Sequence, residues 1–165
     1  RSAEVHNILT LSGNGPYPVN KPYYDDTFRY SITGRPPRLT TNRNEVRISH
    51  NGFQRFAGIG KYIRQWKFTE KNMRIIDDIQ GQGIQPITRR FITPLEPKMV
   101  QDGIVLTHFG ENFEQSFLLR ATNANIAISK ITLWKSYGNG IEGYSISLDT
   151  ESQLPWFDEV SLEVI

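Results

Sequence analysis

Short runs of alternating hydrophobic and polar residues follow one another along almost the whole chain. In the segment KYIRQWKF, the alternation places Tyr62, Arg64 and Trp66 on one side and Ile63 and Gln65 on the other. The segment YSISLD alternates in the same way. A period of two residues is typical of β-strands that bury one face and expose the other, so the pattern predicts half-buried sheets.

About eleven such runs can be counted, and Gly, Asn, Asp and Pro separate them in segments such as SGNGPYP, QGQG and SYGNG. No stretch shows a convincing helical period. The sequence therefore predicts an all-β fold, a two-layer antiparallel β-sandwich of about eleven strands, in which residues 1–165 form a single domain.

Composition narrows the chemistry that this fold can carry. Hydrophobic residues make up 38% of the 165 residues, and no apolar run approaches the ~20 residues of a membrane helix, so no membrane span is expected. The chain has no cysteine, which excludes disulfides and thiolate metal sites. The chain begins directly on a strand-like pattern, and we expect it to be a fragment of a longer protein.

Charge is distributed unevenly between the two halves of the chain. Residues 1–90 hold 15 Lys and Arg against 7 Asp and Glu, a formal charge of +8, whereas residues 91–165 hold 4 against 10, a formal charge of −6. Because arginine binds anionic groups well, one interpretation of the basic first half is that an acidic polymer is the binding partner. The alternative is that these charges only form an ordinary solvated strand surface. Glycine-rich phosphate loops are missing, and no nucleic-acid partner is expected.

Two pairs of neighbouring charged residues lie within predicted strands. Asp77 and Asp78 point to opposite faces of their strand, so they cannot act together on one bond, and ion pairing or turn stabilisation is the favoured role. Arg89 and Arg90 are separated by the same geometry. One of the two arginines is expected to face solvent or ligand, and the other needs an internal partner.

Histidine occurs three times, and two copies, His6 and His50, are each followed by asparagine. A single histidine is more often structural than a ligand, and His108 is interpreted as a surface residue. Between His6 and His50 lie Asp25 and Asp26, and two imidazoles with one carboxylate form a recognised zinc arrangement. The sequence therefore predicts a zinc site with His6, His50 and Asp25 or Asp26 as ligands, with the asparagines orienting the rings.

The order and spacing of several segments resemble the C-terminal β-sandwich domain of the heparinase II/III family of polysaccharide lyases. These segments are RSAEVHNILTLSG, DDTFRYSITGRPPRL, SHNGFQRFAGIGKYIRQWKF, MRIIDDIQGQG, ITRRFITPL and LWKSYGNGIEGYSISLD. The resemblance covers essentially all of the chain. In that family an N-terminal α/α-toroid is joined to the sheet domain and the polysaccharide binds at the junction, so the resemblance implies that a toroid domain is missing here.

The resemblance implies cleavage of an acidic, uronic-acid-containing polysaccharide such as a glycosaminoglycan by β-elimination. The principal base and neutralising residues of the family lie on the toroid, and the family's metal site matches the histidines and aspartates named above. Some members carry a catalytic histidine two positions before the HN histidine, where this chain has Glu4. A bacterial protein of the periplasm or exterior is implied.

A rival hypothesis is a non-catalytic β-sandwich that binds an acidic glycan or has a purely structural role. Under either hypothesis Arg64, Arg89 and Trp66 are the candidate substrate-binding residues, because guanidinium groups pair with anions and an indole can stack on a sugar ring. Whether the isolated chain is an enzyme stays open at this point; the resemblance implies that it is inactive alone.

Overall fold

Twelve antiparallel strands make up most of the chain that the computed structural model describes, which is residues 6–18, 25, 27, 36–136 and 138–165. The strands are β1 (Leu9–Leu11), β2 (Arg38–Asn42), β3 (Glu45–His50), β4 (Ile59–Phe68), β5 (Asn72–Gly81), β6 (Ile84–Thr93), β7 (Pro97–Val100), β8 (Gly103–Phe109), β9 (Glu114–Ala121), β10 (Asn125–Ser136), β11 (Asn139–Gln153) and β12 (Trp156–Val164). The predicted all-β sandwich is confirmed, with one strand more than the eleven that the pattern indicated.

The strands divide into two sheets of unequal width. The small sheet has four strands in the order β1-β6-β11-β10, and the large sheet has eight in the order β2-β3-β4-β5-β12-β9-β8-β7. The chain leaves the large sheet after β5, enters the small sheet at β6, and returns to the large sheet at β7. Because the sheets differ in width, part of the large sheet's inner face extends past the small sheet.

Alternation places hydrophobic side chains of both sheets between the layers. On β11, Tyr144, Ile146 and Leu148 are all buried, as the YSISLD pattern predicts. Tyr62 and Arg64 on β4 lie opposite Ile79 and Asp77 on β5, and the side of KYIRQWKF that they share is the inner face. No helix long and apolar enough to cross a membrane is found among the residues described.

The core consists of two hydrophobic clusters. The first cluster is Leu9, Leu11, Phe53, Ile59, Tyr62, Ile79, Ile87, Leu154 and Trp156. The second cluster is Ile104, Leu106, Leu119, Ile146, Leu148 and Val160, with further half-buried residues around it.

Strand register places charged residues between these clusters. On β12, Asp158 lies two residues after Trp156 of the first cluster and two residues before Val160 of the second. In the strand register, Asp158 lies opposite Asp77 on β5. Arg89 is enclosed in the same way on β6, between Ile87 and Phe91. A layer of ion pairs therefore crosses the core between the two hydrophobic clusters.

Candidate functional site

The ion layer is centred on the carboxylate of Asp77, which is 0% exposed. Its Oδ1 accepts hydrogen bonds from the Tyr62 hydroxyl at 2.6 Å and from Nε of Arg64 at 2.7 Å. Its Oδ2 accepts from Nη2 of Arg64 at 2.9 Å and from Nε of Arg89 at 2.8 Å. Four donors therefore converge on one buried carboxylate, and both of its oxygens are fully used.

Electrostatics keep this layer charged. Burial alone would raise the pKa of Asp77, but the positive charge and hydrogen bonds of Arg64, followed by the charge of Arg89, outweigh burial and lower it. Burial and the neighbouring Asp77 carboxylate raise the pKa of Tyr62 well above its usual value. Asp77 is thus an anion at neutral pH and Tyr62 a neutral donor, and neither is available as a base that removes a substrate proton.

Arg89 connects Asp77 to the edge of the layer. Its Nη1 donates to Oδ2 of Asp158 at 2.7 Å, and its guanidinium carbon lies 4.6 Å from the centre of the Trp156 ring. Its Nη2 is buried and has no hydrogen-bond partner among the residues described. Asp158 is partly exposed, so Arg89 links the buried carboxylate to a second one near solvent.

The three candidate substrate-binding residues lie on inner faces of the sheets. Arg64 is 6% exposed and Arg89 2% exposed, and carboxylates of the core pair with both guanidiniums. Trp66 is half-buried on β4, with the Arg64 guanidinium 6.0 Å from its ring centre. The structure accounts for Arg64 and Arg89 as partners of Asp77, Trp66 retains exposed surface, and the glycan-binding role of all three stays a prediction.

His50, at the end of β3, is buried among aromatic rings. The ring centres of Tyr62, Tyr17 and Phe53 lie 5.0, 5.5 and 6.1 Å from that of His50. The backbone N–H of Gly52 donates to Nδ1 of His50 at 3.0 Å. Burial, followed by the positive charge of Arg64, lowers the pKa of His50 to about 4. The imidazole is therefore neutral at neutral pH, with its proton on Nε2 because Nδ1 accepts a hydrogen bond.

Gly52 follows the HN pair His50–Asn51 and fixes the position of the His50 ring. A Cβ atom at residue 52 would lie 2.8 Å from the Pro16 carbonyl oxygen and 3.1 Å from Nδ1 of His50, so only glycine fits. Asn51 begins the turn that follows, since its carbonyl accepts from the N–H of Gln54. The HN step in SHNGF thus leads into a tight turn that holds the imidazole.

The other HN pair has a different local role. His6 is exposed, and Oδ1 of Asn7 accepts a hydrogen bond from the backbone N–H of Ile92 on β6 at 2.6 Å. Asn7 therefore attaches the segment before β1 to the small sheet. His108 is exposed on β8, as the sequence analysis expects.

The described part of the predicted zinc site does not by itself form a metal-binding group. Across the described residues, no cluster of three or more His, Cys, Asp or Glu side chains could hold a metal ion. Asp25 is exposed, and Asp26 lies outside the described residues. Zinc ligation through Nε2 of His50 would require its proton to leave or to move to Nδ1, where it would meet the Gly52 N–H. The zinc site stays a prediction, and no chemical step is derived from it.

An apolar cavity of about 280 Å³ opens between the sheets near the second cluster. Strands of both sheets line it, through residues that include Met73, Phe91, Phe117 and Leu162, and Asn7 lies at its margin. Its walls carry few polar groups, so it offers an apolar space and no acid–base pair.

Sequence reasoning did not single out Tyr62 or Asp158 as members of the ion layer. It did favour ion pairing for Asp77 and an internal partner for one of Arg89 and Arg90, and both expectations are confirmed. The missing signal was the interstrand register, which brings Asp77 and Asp158 opposite each other from positions far apart in the chain.

No protein-family model matches the sequence, and no curated protein is significantly similar to it. Solved structures do match. A heparan sulfate lyase from Pedobacter heparinus has a TM-score of 0.68 and 11% identity, and the match covers 99% of this chain and 24% of the lyase chain. A heparinase III gene product matches with a TM-score of 0.66 and 11% identity, covering 100% of this chain and 24% of its own.

A further heparinase III structure matches with a TM-score of 0.63 and 16% identity, again over 100% of this chain and 24% of that chain. The chain thus spans about a quarter of the length of these lyases and has the fold of that part. At these identities the similarity is one of fold. The resemblance to the heparinase sheet domain that the sequence suggests is confirmed at this level.

Proposed function

We propose that the chain is the sheet domain of a bacterial polysaccharide lyase that cleaves an acidic, uronic-acid-containing polysaccharide by β-elimination. The observation that carries the proposal is the agreement in fold with heparinase III structures over the whole chain. The match covers 99–100% of the chain, so it extends over both sheets and is more than a shared strand motif.

β-Elimination needs a base that takes the proton from C5 of the uronic acid, a group that neutralises its carboxylate, and departure of the glycosidic oxygen from C4 as the C4–C5 double bond forms. The ion layer supplies none of these, because Asp77, Arg64 and Arg89 are buried and paired with one another. We therefore assign proton abstraction to a toroid domain of the same longer protein, and to this chain one wall of the polysaccharide cleft.

Trp66 is the candidate substrate contact on this wall. It is half-buried on the inner face of β4, and the same face continues across β3 to the exposed Leu39 on β2, at the edge of the sheet. An indole there can stack on a sugar ring while the charged layer below holds its strand in place. The protein would act in the periplasm or outside the cell, where such polysaccharides occur.

The proposal includes a zinc site formed by His6, His50 and Asp25 or Asp26. The neutral state of His50 supports it, since metals bind deprotonated imidazole. Loading through Nε2 would move the proton of the neutral imidazole to Nδ1 and would cost the Gly52 hydrogen bond, with no net release of a proton from His50. Elemental analysis of protein purified without chelator, compared with the His50→Ala variant, tests this site. If the wild-type protein contains no stoichiometric zinc, the zinc site is not part of the function proposed here.

The activity is tested on the full-length protein that contains this chain, with heparan sulfate, hyaluronan and alginate as substrates. The expected result is the ultraviolet absorbance of unsaturated uronic products from at least one substrate. Trp66→Ala should raise KM more than it lowers kcat, whereas Phe157→Ala, on the outer face of β12, should change neither. A folded full-length protein that binds these polysaccharides and cleaves none would instead support a non-catalytic glycan-binding module.

A further inference from the structure

The outer face of the β2–β3 hairpin carries two arginines and two hydroxyl side chains side by side. His50 on β3 points into the core, so Arg47 and Ser49, which alternate with it, belong to the opposite face. In the strand register Arg38 lies opposite Ser49, and Thr40 lies opposite Arg47. These four residues, the β2–β3 quartet, form a square in which the arginines occupy one diagonal and the hydroxyl residues the other.

The two arginines of the quartet have no carboxylate partner. Neither Arg38 nor Arg47 forms an ion pair with any residue that the structure describes. Residues 38–50 hold three Arg and one Glu, a formal charge of +2, and that one acid, Glu45, lies opposite Lys67 of β4. Diagonal neighbours on a sheet are roughly 7–8 Å apart, so the two guanidiniums repel each other and favour an anion between them.

Arg47 also has an unused hydrogen-bond donor. Its Nε is shielded from solvent and has no hydrogen-bond partner among the described residues, although the side chain as a whole is only half-buried. A shielded N–H without an acceptor costs free energy, and an oxygen atom from a ligand would remove that cost. The unpaired charge and the unused donor therefore call for the same kind of group, an oxyanion.

We propose that the β2–β3 quartet binds a sulfate group of an acidic polysaccharide. A sulfate ester has three terminal oxygens, and the planar guanidiniums of Arg38 and Arg47 can donate to two of them while the hydroxyl of Thr40 or Ser49 donates to the third. The quartet lies on the side of the large sheet opposite Trp66, so it would hold the polymer outside the cleft. The choice of a polysaccharide rests on the proposed function, whereas the position and charge of the quartet do not.

The neighbouring residues favour a glycan over a single-stranded nucleic acid. Sites for single strands combine a basic groove with aromatic side chains on which the bases stack. The outer faces of β2 and β3, which the structure describes completely, carry no aromatic side chain. Lys67 lies diagonally across from Arg47 on β4, so the line of cations continues from the quartet towards a second anionic group of the same chain.

The test measures binding to the 165-residue chain by isothermal titration calorimetry. The probes are a heparin hexasaccharide, the same hexasaccharide after chemical removal of its sulfate groups, and hexathymidylate as a nucleic acid. The expected result is saturable binding of the sulfated hexasaccharide, with an affinity on the order of tenfold higher than that of either other probe. Circular dichroism spectra of each variant are compared with the wild type to establish that it is folded.

Arg47→Lys keeps the charge but loses the planar fork, and it should weaken binding on the order of tenfold. Thr40→Val removes a hydroxyl without changing charge and should weaken binding severalfold. Arg47→Gln and Lys98→Gln form a matched pair, because each removes one positive charge from the outer face of the large sheet. Lys98 is exposed on β7, at the opposite edge of that sheet, and its substitution should have little effect.

Three results would overturn the proposal. The first is no binding of the sulfated hexasaccharide. The second is an equal loss of affinity in Arg47→Gln and Lys98→Gln, which indicates attraction to net charge alone. The third is equal or tighter binding of the desulfated hexasaccharide or of hexathymidylate. Cleavage is measured separately on the full-length protein, so binding without cleavage would count against the proposed lyase activity and not against this site.

Discussion

Asp77 and Arg89 join the two sheets of the sandwich by a buried ion pair. Oδ2 of Asp77, on β5 of the large sheet, lies 2.8 Å from Nε of Arg89, on β6 of the small sheet. Both side chains are almost completely buried. The free-energy cost of removing their charges from water is therefore offset only while every partner is in place. A displacement of one sheet against the other would leave charges unpaired, and the layer therefore favours a single alignment of the sheets.

The first prediction concerns Asp77→Asn. The substitution keeps the shape of the side chain but removes the charge that pairs with Arg64 and Arg89, leaving two buried cations. We expect the free energy of unfolding to fall by about 3–5 kcal/mol. Urea denaturation at neutral pH measures it.

The matched control is Glu159→Gln, which removes the exposed ion pair with Arg74 and should leave stability nearly unchanged. If Asp77→Asn were no more destabilising than this control, the ion layer would not contribute to the stability of the sandwich.

The second prediction concerns acid stability of the metal-free protein. His50 has a pKa of about 4 when folded against 6.5 in its unperturbed state, so between these values the unfolded chain binds more protons than the folded one. The stability associated with neutral His50 is complete above about pH 6.5 and is lost progressively towards pH 4. At about 1.4 kcal/mol per pKa unit, the loss reaches about 3 kcal/mol by pH 4.

Urea denaturation across this pH range should show a weaker pH dependence for His50→Gln than for the wild type. His108→Gln provides the control for the loss of a histidine that is exposed and outside the core. Identical profiles for wild type and His50→Gln would contradict the lowered pKa.

The third prediction is that the 165-residue chain alone does not cleave heparan sulfate, hyaluronan or alginate. Both acidic groups of the ion layer are paired with arginine and Asp77 is buried, and the chain supplies only part of the length of the lyases it matches in fold. Ultraviolet absorbance of unsaturated products should stay at the level of a blank. Appreciable turnover by the isolated chain would refute the assignment of proton abstraction to a separate domain.

The fourth prediction is concentration-dependent self-association of the isolated chain. Leu39 on β2 is 62% exposed and Phe68 on β4 is 41% exposed, both on the inner-face side of the large sheet. Exposed hydrophobic surface of this kind promotes association. Sedimentation measurements should show a larger dissociation constant for Leu39→Lys, while Phe157→Lys serves as the control. A chain that stays monomeric at every concentration would argue against a docking surface here.

Alternation by itself determined the fold class and which side chains of a strand share a face. Tyr62 and Arg64 lie on one face, and only one of Arg89 and Arg90 can face the interior, because a strand sends neighbouring side chains to opposite sides whatever it packs against. These are local consequences of backbone geometry, and they need no knowledge of which strands are neighbours.

Only the tertiary structure decided which of these residues meet. Asp77 and Arg89 are 12 positions apart but lie in different sheets, and Asp158, 69 positions from Arg89, completes the layer because β12 pairs with β5. His50 was noticed in the sequence, but its low pKa arises from rings and from Arg64 on other segments. Such partners depend on the order and register of strands that are far apart in the chain. The order and register are selected because they bury the hydrophobic faces of all the strands together.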